Sequence, residues 1–165
     1  MNTLRLFLWT ICVQILVLNN IQLSGYINPY YYLIFILYIP SKYSKVSTLF
    51  LSFIIGFSID MFSYSYGLHA FASVLIGYLK IFLLGKTTKN KEGDELIEMN
   101  NLSINKFIIL ASYFIIIHHF MLFFLERSNI NEIFSILKMT ICSYIFTLFL
   151  FIIHKLFSTK KHEKI

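Results

Sequence analysis

Charge is scarce in this chain. Of its 165 residues, 13 % are Asp, Glu, Lys or Arg and 58 % are hydrophobic. A soluble domain carries about a quarter charged residues, and a globule of this size in water needs a polar shell that this composition does not supply. That excludes a soluble enzyme and a disordered chain. Only two cysteines are present, Cys12 and Cys142, and both fall inside apolar runs. They exclude a disulfide-stapled scaffold and read as small core residues. There is no internal repeat and no low-complexity linker. The apolar residues come in long runs rather than alternating with polar ones, which excludes a porin-type barrel. What is left is an all-α integral membrane protein in one transmembrane domain covering residues 1–165.

Six runs are expected to form the bundle: 4–23, 27–39, 46–62, 68–84, 106–125 and 133–157. The first ends in polar residues, Gln14, Asn19, Asn20 and Gln22, and lacks a small-x-small cleavage site after it, so it reads as a retained helix rather than a signal peptide. The second is bracketed by Pro29 and Pro40, with Asn28 placed to cap it. Thirteen helical residues reach only about 20 Å against a hydrocarbon core of roughly 30 Å, so this run is either a short tucked-in span or re-entrant. Its tyrosines, Tyr30, Tyr31, Tyr32 and Tyr38, suit membrane interfaces. Residues 85–105 form the one long polar loop, in which Asp94 to Met99 could make a surface helical turn, and 158–165 is a basic tail.

The 14 basic residues orient the bundle. With six spans and both termini cytoplasmic, 12 of them, Lys80 and Lys155 included, fall inside and only Arg127 and Lys138 outside. That is a strong positive-inside bias. A re-entrant second run would leave five spans and an outer N-terminus, and only Arg5 separates the two arrangements. The net charge of +6 thus serves topology and contact with anionic lipid heads, not nucleic acid.

Thr48, Ser52, Gly56 and Asp60 recur every four residues and share one face of the third helix. Ala70, Ser73 and Gly77 follow on the fourth at spacings of three and four. Small residues so placed let two membrane helices approach closely. A tight hairpin turned at Gly67 is therefore expected, with Asp60 and His69 flanking the turn. Asp60 can accept from His69 or from the free amides that open the fourth helix. A proton relay or ligand contact is the functional reading. A structural cap stands ahead of it, because one carboxylate and one histidine make a poor relay.

His118 and His119 point about 100° apart on a helix, so they cannot share one metal, and one of them is expected to face the bundle. No third ligand stands at zinc spacing, and no metal or cofactor is expected. Thr140, Ser143 and Thr147 make a polar stripe suited to packing between helices. Gly85-Lys86-Thr87 is not a phosphate loop, since the required earlier glycine position is Lys80. No catalytic constellation is visible, so the chain is not read as an enzyme.

Gly56-Phe57-Ser58-Ile59-Asp60, Tyr66-Gly67-Leu68-His69-Ala70 and Gly77-Tyr78-Leu79 resemble the central signature of the rod shape-determining MreD family. The order of helices and the overall length are similar too. This chain is poorer in Ala, richer in Phe and longer in its charged loop. The resemblance implies a non-enzymatic part of the bacterial cell-wall elongation machinery in the inner membrane. Such a part would pair with MreC and, through it, connect the MreB filament with RodA and its partner transpeptidase. It also implies a bundle similar to the substrate-binding subunits of energy-coupling-factor transporters. The small-residue hairpin itself marks Thr48, Ser52, Gly56, Asp60, Gly67, His69, Ala70 and Gly77 as the expected partner-docking or hairpin-forming residues. Membership of that transporter class is the competing reading. Against it, the first helix has no Ala for the usual docking face, and only Asp60, His69 and Gln22 offer themselves to a ligand.

Overall fold

A computed structural model describes residues 2–21, 27–87 and 98–159, without the side chains of 85–87 and 159. Among the described residues there are six α-helices: α1 (Thr3–Leu16), α2 (Leu33–Tyr38), α3 (Lys45–Ser63), α4 (Leu68–Thr87), α5 (Ile104–Arg127) and α6 (Ile133–Thr159). Among the described residues, four helical stretches are long and apolar enough to cross a membrane: Thr3–Asn20, Lys45–Ser63, Ile104–Arg127 and Ile130–Ser158. Helix α4 adds a shorter apolar stretch, Leu68–Leu84. Their outward faces carry large apolar side chains such as Phe50, Phe53 and Met61 on α3 and Ile141, Ile145 and Phe149 on α6. Apolar surface this extensive suits lipid rather than water.

Local chemistry sets the helix ends. Ser44 Oγ accepts from Ser47 N–H at 3.1 Å and opens α3. Tyr64 and Ser128, with φ of 54° and 47°, close α3 and α5 in the left-handed conformation. Helices α3 and α4 pack as one antiparallel pair and α5 and α6 as another, while α4 joins the pairs through α5 and α1 lies on α3. Asn19 Nδ2 reaches Ser63 Oγ at 3.0 Å, so α1 finishes beside the α3–α4 turn, here called the hairpin end. Thr3 and Ser158 line one pocket at the opposite, loop end. The first and last described turns therefore sit at the same end of the bundle.

Two expected runs differ from their expected extents. The first helix stops at Leu16, followed by a 3-10 turn over Leu18–Asn20, and Gln22 lies outside the described residues. The second run is helical only over Leu33–Tyr38, about 9 Å of rise. Residues 28–32 are not helical, and the whole segment passes through the bundle interior. Leu33 to Leu37 are at most 1 % exposed. Tyr31 and Tyr32 are buried as well, which corrects their reading as interface aromatics. The other corrections concern Cys12, which is exposed rather than in the core, and Met99, which is buried rather than on a surface turn. The rest of that expected turn, residues 94–97, lies outside the described residues, as does the tail beyond Thr159.

Candidate functional site

Inside a membrane bundle, non-helical backbone must be satisfied by the protein itself. The polar stripes of the sequence perform this for residues 28–32. Ser143 Oγ accepts from Asn28 N–H at 3.0 Å, and Thr147 Oγ1 accepts from Tyr30 N–H at 3.2 Å. Gln14 Nε2 donates to Pro29 O at 3.0 Å and its Oε1 accepts from Tyr32 N–H at 3.3 Å. Gln14 on α1 and the Ser143–Thr147 face of α6 thus grip the segment from both sides. At the far end of α2, Lys80 Nζ donates to Ile36 O at 3.0 Å and to Ile39 O. Lys155 does the same for the carbonyls of Met99 and Asn100, at 2.9 and 2.6 Å. Both lysines, counted above among the cytoplasmic charges, are buried.

The segment delivers Tyr32 to the centre. Its hydroxyl lies 2.8 Å from His118 Nε2 and 3.0 Å from His69 Nδ1. A hydroxyl has one proton to give, so it donates to one imidazole and accepts from the other. His119 Nδ1–H donates to Ile115 O at 2.8 Å, which leaves Nε2, 3.1 Å from Thr147 Oγ1, as the acceptor. Both histidines are fully buried, where one facing the bundle was expected. Their bonds diverge: His118 Nε2 meets Tyr32 of the buried segment, and His119 Nε2 meets Thr147 of α6. The phenol ring of Tyr30 lies 5.0 to 5.8 Å from the rings of His69, His118 and His119. Two polar atoms stay unpartnered nearby, Ser73 Oγ and His118 Nδ1. Among the described residues no three His, Cys, Asp or Glu side chains gather as a metal site.

The hairpin holds the residues singled out from the sequence. Asp60 Oδ1 accepts from Ser65 Oγ at 2.5 Å and from His69 N–H at 3.0 Å, and Oδ2 accepts from Ala70 N–H at 2.8 Å. The carboxylate of α3 therefore caps the opening amides of α4, through the backbone of His69 and not its ring. Ser52 Oγ donates to Thr48 O, and Thr48 Oγ1 to Ser44 O, so both hydroxyls are spent within α3. Gly77 lies against Ser52. A Cβ on Gly56 would stand 2.5 Å from His69 O and 2.6 Å from Ala70 Cα, so only glycine allows this approach of α3 to α4. Gly67, at φ +91°, has open space around it but a backbone that other residues adopt at a cost.

At the hairpin end a cavity of about 850 Å³ opens above this core, lined by Gln14, Asn19, Asn28, Tyr30, His69 and Glu126 among others. Sequence reasoning found Asp60, His69 and the small-residue faces, but not Tyr32, Gln14 or the double burial of the histidines. The available signal was the combination of a proline-bracketed run too short to span with polar residues on two other helices, because such a run needs partners. Comparison with protein-family models, with curated proteins and with solved structures finds no match for this chain.

Proposed function

We propose that this chain is a non-enzymatic membrane scaffold of the bacterial cell-wall elongation complex, of the MreD type, which docks MreC and through it links MreB to RodA and its transpeptidase. The observation that carries the proposal is the α3–α4 hairpin. Three residues of the motif on which the resemblance rests have a structural use there. Asp60 caps α4, Gly56 admits its backbone and Gly67 makes the turn. The product is a rigid outer edge that presents a fixed surface to another protein's membrane helix, bound by packing and a few inter-helix hydrogen bonds. In this reading the chain crosses the inner membrane six times, the second time by the partly extended segment ending in α2, with both termini cytoplasmic. Setting aside the buried Lys80 and Lys155, ten basic residues remain inside against two outside, so the bias persists. The bundle would then be similar to the substrate-binding subunits of energy-coupling-factor transporters.

The test is complementation. In cells depleted of their own MreD, the wild-type chain is expected to restore rods, whereas Gly67→Val, strained at φ +91°, restores them poorly and recovers less MreC. A Gly67→Val protein that folds, pairs with MreC and restores rod shape at the wild-type level contradicts the role given to the hairpin. The transporter-subunit reading is kept for one reason, the polar cavity beneath which His69 and Tyr30 lie.

A further inference from the structure

The cavity at the hairpin end, about 850 Å³, falls within the size range of small-molecule sites. Gln14, Asn19 and Asn20 in its wall are already spent on the fold. Gln14 Nε2 donates to Asn19 Oδ1 and Pro29 O, Asn19 Nδ2 to Ser63 Oγ, and Asn20 Nδ2 to the carbonyls of Ile15 and Leu16. Three other groups of the lining are not spent. His69 is 5 % exposed, its Nδ1 lies 3.0 Å from the Tyr32 hydroxyl, and its Nε2 has no partner among the described residues. The Tyr30 hydroxyl and the Glu126 carboxylate have none there either. Unlike Ser73 Oγ and His118 Nδ1, these atoms of Tyr30 and His69 are not sealed in protein, and both residues line the cavity.

The charges around the cavity have one sign. Glu126 acts electrostatically on the Tyr30 hydroxyl, and Asp60 acts on the His69 ring. Among the described residues no Lys or Arg lines the cavity, and Arg127 beside it is paired with Glu132 at 2.7 Å. An anion would meet two carboxylates and no counter-charge. A cation with N–H groups meets the opposite charge and acceptors for its protons. His69 can serve as one of those acceptors. Tyr32 donates to one imidazole and accepts from the other, so two proton orders are open. When His69 Nδ1–H donates to Tyr32 and Tyr32 donates to His118 Nε2, His69 Nε2 is left as a lone pair toward the cavity. A cation in the cavity favours that order. We infer that the cavity is a binding site for a small organic cation bearing N–H donors, a primary amine or a guanidinium, held by Glu126, the Tyr30 hydroxyl and His69 Nε2. Such occupancy requires no transport, so it stands or falls separately from the scaffold reading.

The test is calorimetric titration of the purified full-length protein in a non-ionic detergent. Putrescine, butanediol and succinate share a four-carbon chain and differ in the charge at its ends. Putrescine is expected to bind about tenfold more tightly than butanediol, the margin of charged over neutral hydrogen bonds, and succinate is expected not to bind. The hexamethyl derivative of putrescine keeps both charges and has no N–H donor. It is expected to bind about tenfold more weakly than putrescine itself. Glu126→Gln, at an exposed position, is expected to weaken putrescine about fivefold. Tyr30→Phe, which removes a hydroxyl that bonds nothing in the fold, is expected to weaken it about threefold. The comparison of the four ligands uses the unaltered protein, so it does not depend on a variant folding. Absence of saturable putrescine binding overturns the inference. Equal binding of butanediol or of the hexamethyl derivative overturns it too, as does putrescine affinity unchanged in Glu126→Gln.

Discussion

Asp60→Ala is expected to lower the stability of the folded bundle by about 2–4 kcal/mol, because it orphans two buried backbone amides at once. The His69 and Ala70 N–H groups both donate to this carboxylate, and Asp60 is only 6 % exposed. Water has little access to replace it. The hydroxyl of Ser65 loses its acceptor as well. Asp60→Asn keeps one carbonyl oxygen and loses the other, so about half the effect is expected. Reversible unfolding in mixed detergent measures both variants. An Asp60→Ala protein within about 0.5 kcal/mol of wild type would mean that α4 is capped by other groups and that the hairpin does not depend on this contact.

Lys80→Met should cost about 1–3 kcal/mol, by a different balance. The substitution is nearly neutral in volume, so packing is kept. It removes an ammonium whose burial is costly, and that part is favourable. It also strands the carbonyl of Ile39, and it leaves that of Ile36 with only the long bond from Ile39 N–H, 3.4 Å, at the end of a helix of only six residues. One buried carbonyl without a donor and a second held by a long bond outweigh the relief. The loss should be local: amide exchange in Leu33–Tyr38 is expected to accelerate more than exchange in α5. Uniform acceleration across all helices would show that Lys80 supports the global fold rather than α2. Stability unchanged or raised would show that the desolvation of the ammonium dominates.

The long helices were legible because apolar runs of that length have few alternatives. Expected runs at 46–62, 68–84, 106–125 and 133–157 compare with Lys45–Ser63, Leu68–Thr87, Ile104–Arg127 and Ile133–Thr159. The α3–α4 spacing also pointed to the right contacts, since residues four apart on one helix necessarily share a face. The segment around Tyr32 was opaque for the opposite reason. Its burial depends on His69 and His118, which lie 37 and 86 residues along the chain, and on Ser143 and Thr147 further still. A tyrosine run beside a proline has the composition of a membrane interface wherever it goes. Lys80 misled for a similar reason. A lysine near the end of an apolar helix normally reaches water, and here it meets the carbonyls of a neighbouring helix instead.

The central claim is that this bundle is a docking partner within the elongation complex. The most direct measurement is gentle-detergent purification of the tagged chain from its native membrane, with the co-purifying membrane proteins identified. The account predicts MreC, accompanied by RodA or its transpeptidase. Recovery of a pair of ATPases with their coupling membrane subunit would contradict it, and the cavity beside His69 and Tyr30 would then be the place to seek a transported ligand.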